Sequence, residues 1–129
     1  MPIDLDELLK EAVNKGASDI HLKVGVPAYA RIHGSLVPHT VAPLARADVD
    51  AIVAKLMEAT ITPAGREKCE VDVAYTLPGV SRFRCNIFRQ RGSPEVVMRT
   101  VPYKIPSIDE LGLPNILNHL ALESRGLIL

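Results

Sequence analysis

The amino-acid sequence predicts an α/β domain of the α+β kind, an antiparallel sheet of about five strands with helices packed on one side. Three observations predict it. Residues 80–101, VSRFRCNIFRQRGSPEVVMRTV, hold two alternating runs, 81–90 and 95–101, on either side of the turn-forming Arg91-Gly92-Ser93-Pro94. Shorter alternating runs lie at 19–23, 29–33 and 71–77, and two stretches place apolar residues at helical spacing near 5–13 and 49–57. At 129 residues the chain is the size of one domain with a single core, able to bury about two-thirds of its unfolded surface.

Each element has a local reason. Asp4 with Glu7 is a capping-box variant; Leu5, Leu8, Leu9, Ala12 and Val13 follow at helical spacing until Gly16 supplies a stop. Residues 19–23 and 29–33 form a first hairpin around Val24-Gly25-Val26-Pro27, with Asp19, His21 and Arg31 at outer positions as a cross-strand polar cluster that fixes it. Residues 35–46, broken by Pro38 and Pro43, read as a strand end and loop. Val49, Ile52, Val53, Leu56 and Met57 give the apolar stripe of a second helix. Thr62-Pro63 opens a short helix through about Cys69.

Val71, Val73, Tyr75 and Leu77 then alternate with Asp72, Ala74 and Thr76, and Pro78-Gly79 turns the chain into the central hairpin. Beyond Thr100 the prolines at 102, 106 and 114 mark a linker carrying short helices, with a capping box at Ser107 and Glu110. Residues 114–122 read as one more helix and 125–129 as the start of a buried strand. A strand that stops without a partner points to a larger protein.

Composition excludes several classes. The apolar share of 47% and charged share of 23% are those of a soluble globular protein, and no apolar run is long enough to span a bilayer. The acidic, amphipathic start MPIDLDELL lacks the order of a secretory signal, so a cytoplasmic location is expected. With 15 basic and 15 acidic residues the global charge for non-specific nucleic-acid binding is missing and only a local basic patch remains, while two Phe, three Tyr and no Trp leave few stacking platforms. Cys69 and Cys85 lie outside metal-ligand spacing and read as reduced. His21, His33, His39 and His119 are scattered singly, so no metal site and no catalytic base is expected.

The chemistry-bearing residues are the arginines of the central hairpin. Alternation puts Phe83, Cys85 and Ile87 on one face and Arg82, Arg84 and Asn86 on the other. Val96 and Met98 face one way; Val97, Arg99 and Val101 face the other, so Arg99 can share a face with Arg84. Guanidinium groups on a rigid sheet recognise phosphate or carboxylate through two parallel charge-assisted hydrogen bonds. They are also a common solvated face, with Arg82, Arg84, Arg89, Arg91 and Arg99 paired to acids such as Asp72. Spacing alone leaves both readings open and favours the second.

Six motifs stand in order along the chain: ASDIHL at 17–22, RIHG at 31–34, SRFRCNIFRQ at 81–90, VVMRTVP at 96–102, IDELGLP at 108–114 and ESRGLIL at 123–129. Together they closely resemble the amino-terminal domain of the type IV pilus retraction (twitching motility) ATPases, within the secretion ATPase superfamily of type IV pili and type II secretion. The resemblance implies a PAS-like amino-terminal domain over residues 1–101. Residues 102–129 would be the interdomain linker and the first strand of a P-loop ATPase domain missing from the sequence.

The resemblance further implies a homo-hexamer that binds ATP and Mg in the full-length protein. The partners would be the carboxy-terminal ATPase domains of the same and neighbouring subunits and the pilus platform protein of the inner membrane, to which the cytoplasmic motor would be peripheral. The pattern departs from the family in one respect: no G-x-x-x-x-G-K followed by Ser or Thr occurs, nor do the Mg-binding and catalytic acidic motifs. No catalytic residue, no bound cofactor and no hydrolysis are therefore expected of this fragment alone. Carried over position by position, Arg84 in RFR and Arg99 in VMRT match arginines that approach nucleotide phosphates when the two domains close, with Arg82 beside them. The competing function is a free-standing PAS-like module that binds a small ligand or a partner protein.

Overall fold

A computed structural model describes residues 3–59 and 70–129. Helix α1, Leu5–Asn14, begins where the Asp4 carboxylate accepts hydrogen bonds from the amides of Asp6 (2.9 Å) and Glu7 (3.4 Å), satisfying two of the donors that a helix start leaves unpaired. It ends at Gly16, whose φ of 75° suits a residue without a Cβ. The chain continues through β1 (Ala17–Lys23), β2 (Tyr29–Ile32) and β3 (Ser35–Pro38) to α2 (Arg46–Glu58). It then runs through β4 (Glu70–Leu77), β5 (Ser81–Gln90) and β6 (Ser93–Val101) to a short α3 (Ile116–Leu120).

The strands form one antiparallel sheet in the order β3-β2-β1-β6-β5-β4. Two three-stranded meanders thus meet along β1 and β6. The expected sheet of about five strands has six because 35–38, read as a strand end and loop, is a full edge strand. His33 and Gly34, at φ 48° and 84°, make a two-residue hairpin turn with both residues left-handed, so Ile32 stands opposite Ser35 and pairing continues to Pro38. Pro38 is tolerated on an edge, where its missing N–H faces no neighbour.

The core lies on one face only. Leu5, Leu8, Leu9 and Ala12 of α1 and Val49, Ile52 and Leu56 of α2 are buried against Ile20, Leu22, Ala30, Val73, Phe83, Cys85, Ile87, Val96 and Met98 of the sheet. Burying one such side chain contributes about 1.5–3 kcal/mol. This places both long helices on one side, as expected, and leaves the opposite face to a mixture of charged, polar and apolar side chains, Val97 and Val101 among the last. The thiol of Cys85 sits inside the core, where burial pushes its pKa up to about 12, so it is an inert packing residue.

Three expectations are corrected. The central turn is tighter than the four residues 91–94: Gln90 pairs with Ser93 across Arg91 and Gly92 alone, and Pro94 already belongs to β6. The helix expected over 114–122 is confined to Ile116–Leu120. Residues 125–129 form no strand here; Leu127, Ile128 and Leu129 are exposed, because a strand needs a neighbour to satisfy its amides and carbonyls. The capping box at Ser107 and Glu110 does form, with Glu110 accepting from the Ser107 amide at 2.8 Å and Ser107 Oγ accepting from the Glu110 amide at 3.2 Å, but it closes a turn rather than a longer helix. The helix expected from Thr62-Pro63 to Cys69 lies outside the described residues.

Candidate functional site

The uncovered sheet face carries the charged side chains, and strand register decides which of them meet. Arg84 on β5 stands directly opposite Arg99 on β6, and Arg99 stands opposite Asp19 on β1, which stands opposite Arg31 on β2. One row of four strands therefore reads Arg31, Asp19, Arg99, Arg84. A diagonal step onto β4 adds Asp72. Arg82 lies two residues along β5 on the same face, exposed, opposite Thr76 and Val101. The three arginines singled out in the sequence do share a face; Arg84 and Arg99 are cross-strand neighbours and Arg82 flanks them.

Each central arginine has a carboxylate partner, and the two partnerships differ. Arg99 Nε lies 3.1 Å from Asp19 Oδ1, whose side chain is only 13% exposed. Ser18 Oγ donates to Asp19 Oδ2 at 2.9 Å, and Arg31 Nε lies 3.6 Å from the same oxygen. Burial alone raises the Asp19 pKa, but the hydrogen bonds from Ser18 and Arg99 and the charges of Arg99 and Arg31 outweigh it and hold the carboxyl below its ordinary value. Arg84 Nε lies 3.7 Å from Asp72 Oδ1, and both side chains are mostly exposed, at 74% and 56%. Water screens that pair, so it is weak.

The hollow between these residues, about 330 Å³, is open to solvent and lined by Asp19, Glu70, Asp72, Arg84, Asn86, Val97 and Arg99. Asn86 Nδ2 donates to Glu70 Oε1 at 2.8 Å, which holds the amide at the rim. The two guanidinium groups are free at most of their donors, 74% and 73% exposed, and converge on one patch. Such a patch is suited to an anion presented from outside the sheet, since the planar forks match phosphate and carboxylate geometry. Arg89 and Arg91 do not join it. Arg89 falls on the other side of the strand, opposite Pro94, and Arg91 is consumed by the turn.

Sequence reasoning places Asp19, His21 and Arg31 in a polar cluster that fixes the first hairpin; the Asp19–Arg31 pair is present, whereas His21 Nε2 is buried without a hydrogen-bond partner. What it misses is the Asp19 link to Arg99, which depends on β1 and β6 being neighbours. It also misses a tie on the helical side: the Tyr75 hydroxyl donates to Asp6 Oδ1, and Lys55 Nζ lies 2.8 Å from Asp6 Oδ2, joining β4, α1 and α2. Among the described residues no group of three or more His, Cys, Asp or Glu side chains could hold a metal ion, and no helix is long and apolar enough to cross a membrane.

No protein-family model matches the chain. It is 34% identical over 127 residues, 98% of its length, to the type IV pilus retraction ATPase PilT of Pseudomonas aeruginosa, and equally to the type IV pilus ATPase PilU of the same organism. It covers 37% and 33% of those proteins, so it spans about a third of the relatives it matches. A crystal structure of the pilus retraction motor PilT with bound ADP superposes with a TM-score of 0.74 at 34% identity, over 94% of this chain and 36% of that one. At that identity along almost the whole chain, and on a shared fold, this protein resembles the amino-terminal region of the pilus retraction ATPase PilT.

Proposed function

We propose that this chain is the amino-terminal regulatory and oligomerisation domain of a hexameric type IV pilus retraction ATPase, and that Arg84 and Arg99, flanked by Arg82, approach the nucleotide phosphates when an ATPase domain closes against the sheet. The observation that carries this reading is the opposed Arg84–Arg99 pair on an open face. Two like charges held side by side and mostly exposed are stabilised by an anion between them, and a nucleotide supplies one. In this role each arginine acts on charge that develops on the transferring phosphoryl group, an effect worth roughly 10³ to 10⁵ in rate in other nucleotide hydrolases.

The donor set fits part of a nucleotide site. Guanidinium groups suit the phosphate oxygens, but this chain has no glycine-rich loop ending in Lys and Ser or Thr to cradle the phosphates and hold Mg. ATP and Mg would therefore be bound chiefly by the ATPase domain, of the same or a neighbouring subunit, with these arginines closing the site. The inner-membrane platform protein would be reached through the assembled motor. A free-standing ligand-binding module would want an enclosed apolar pocket, whereas the hollow on this face is open and lined mostly by charged and polar groups.

The test is ATP turnover by the full-length protein with nucleotide and Mg saturating. R84A and R99A should each retain the fold and lose turnover by at least about tenfold. Wild-type turnover in both would sink the proposal.

A further inference from the structure

We infer that Asp19 is the positioning residue for Arg99: it holds one edge of that guanidinium so that the other edge points permanently at the anion, while Arg84 is left to swing. The inference rests on the phosphate role proposed for Arg99 and extends it to a residue that touches no phosphate itself.

The two arginines that flank Asp19 are held to different extents. Arg31 is used at both ends, with Nε 3.6 Å from Asp19 Oδ2 and Nη1 donating to the Gly34 carbonyl at 2.9 Å. It is a hairpin brace. Arg99 meets Asp19 only through Nε, at 3.1 Å, so both terminal nitrogens remain for a ligand. A carboxylate on Nε fixes the plane of the guanidinium without occupying the fork. Asp19 is itself immobilised, being 13% exposed, pinned by Ser18 Oγ and placed between two strands by register. The hydrogen bonds from Ser18 and Arg99 and the charges of Arg99 and Arg31 hold its carboxyl below the ordinary value against the effect of burial.

Arg84 has no such support. Its partner Asp72 is 56% exposed and 3.7 Å away, and Asn86 Nδ2 approaches the same Oδ1 at 3.5 Å. A phosphate can therefore displace Asp72 at little cost. One arm of the pair is pre-set and the other is recruited. Pre-setting matters because a small misplacement of a charged group can cost about 10²-fold in rate.

The experiment is a double-mutant cycle on kcat in the full-length protein with saturating ATP and Mg. D19N keeps the size of the side chain and removes its charge. Expected is about a tenfold fall in kcat for D19N alone, the same fall in an R84A background, and less than about a twofold fall in an R99A background. A tenfold fall that persists in R99A, or wild-type kcat in D19N while R99A is slow, overturns the positioning role and leaves the phosphate role standing. Wild-type kcat in R99A overturns the phosphate role beneath it. A measurement that needs no substitution is solvent exchange of the Nε protons by NMR in the chain described here. The Arg99 Hε should exchange several-fold more slowly than those of Arg84 and Arg82, and equal exchange at all three overturns the inference.

Discussion

Arg84 and Arg99 stand directly opposite each other on adjacent antiparallel strands, each with a carboxylate on its far side, Asp72 for one and Asp19 for the other. Like charges placed opposite are unfavourable by a few tenths of a kcal/mol to about 1 kcal/mol. The carboxylates offset that repulsion unequally. Removing Arg84 breaks only a screened surface pair and relieves the repulsion, so R84A should leave stability within about 0.5 kcal/mol of wild type. Removing Arg99 takes one of three partners from the mostly buried Asp19, so R99A should cost about 1 kcal/mol and still fold. Urea unfolding measures both. Equal losses would show that Asp19 is not the better-coupled carboxylate.

The β5–β6 turn stores a small strain at Arg91, which has a φ of 51°, a left-handed conformation that a residue with a Cβ adopts at some cost. Gly92 beside it, at φ 78°, bears the same geometry freely. R91N should therefore stabilise the chain by about 0.5–1 kcal/mol, because asparagine tolerates this region best among residues with side chains. G92A should destabilise by about 1–2 kcal/mol although the added Cβ meets nothing within 4 Å, since the penalty is conformational. Thermal melts that rank the two variants the other way would refute the assignment of strain.

Much of this was legible in the sequence, and the boundary follows physical range. The faces of β5 are set by a period of two, so Phe83 inward and Arg84 outward need only their immediate neighbours. The cap at Asp4 and the stop at Gly16 are equally local. The Asp19–Arg99 contact spans 80 positions and exists because two meanders join along β1 and β6, which no local pattern encodes. Strand β3 had a local signal, since Gly34 is the second residue of a two-residue loop, but Pro38 masked it. For residues 125–129 the apolar run gives the propensity of a strand, yet pairing requires a neighbour, which the described residues do not supply.

Residues 102–114 pack little against the sheet, and Tyr103, Ile105, Leu111 and Leu113 are exposed. The Ser107–Glu110 capping box gives the segment one stiff turn between prolines at 106 and 114. If this stretch is the interdomain linker that the family resemblance implies, its length matters more than its sequence. Inserting four Gly and Ser residues after Pro102 in the full-length protein should leave ATP turnover within about twofold and abolish retraction, because a flexible insert transmits no torque. Unchanged twitching motility would make the segment a plain connector.

The tie among Asp6, Lys55 and Tyr75 fastens both long helices to β4. Burial pulls the Asp6 pKa up, but the hydrogen bonds from Lys55 and Tyr75 and the Lys55 charge bring it below the ordinary value. A depressed folded pKa means that the contribution is present above the unfolded value, 3.8, and lost as pH falls through the folded one. Y75F should cost about 1 kcal/mol at pH 7, the loss of one hydrogen bond to a charged, partly exposed acceptor. D6N should be less stable than wild type at pH 7 and converge on it as the pH falls below 3.8 and through the folded value. A constant difference across that range would place the stabilisation in packing rather than in charge.

His39 contributes a further pH dependence. Its side chain is 2% exposed against α1, and Nε2 is buried without a hydrogen-bond partner, 3.8 Å from Glu11 Oε2. Burial and the nearby Lys15 charge disfavour the imidazolium more than the Leu8 carbonyl and Glu11 favour it, so the pKa lies below the ordinary 6.5. The unfolded chain therefore takes up the proton first as pH falls. Stability is full above the unfolded value and declines below it, with a slope of at most about 1.4 kcal/mol per pH unit for one proton. Between pH 7.5 and 5.5 the wild-type unfolding midpoint in urea should fall, while H39Q, which cannot titrate, should follow a flatter line. Parallel lines would mean that the imidazole is satisfied in both protonation states, with Glu11 turning inward to pair with it.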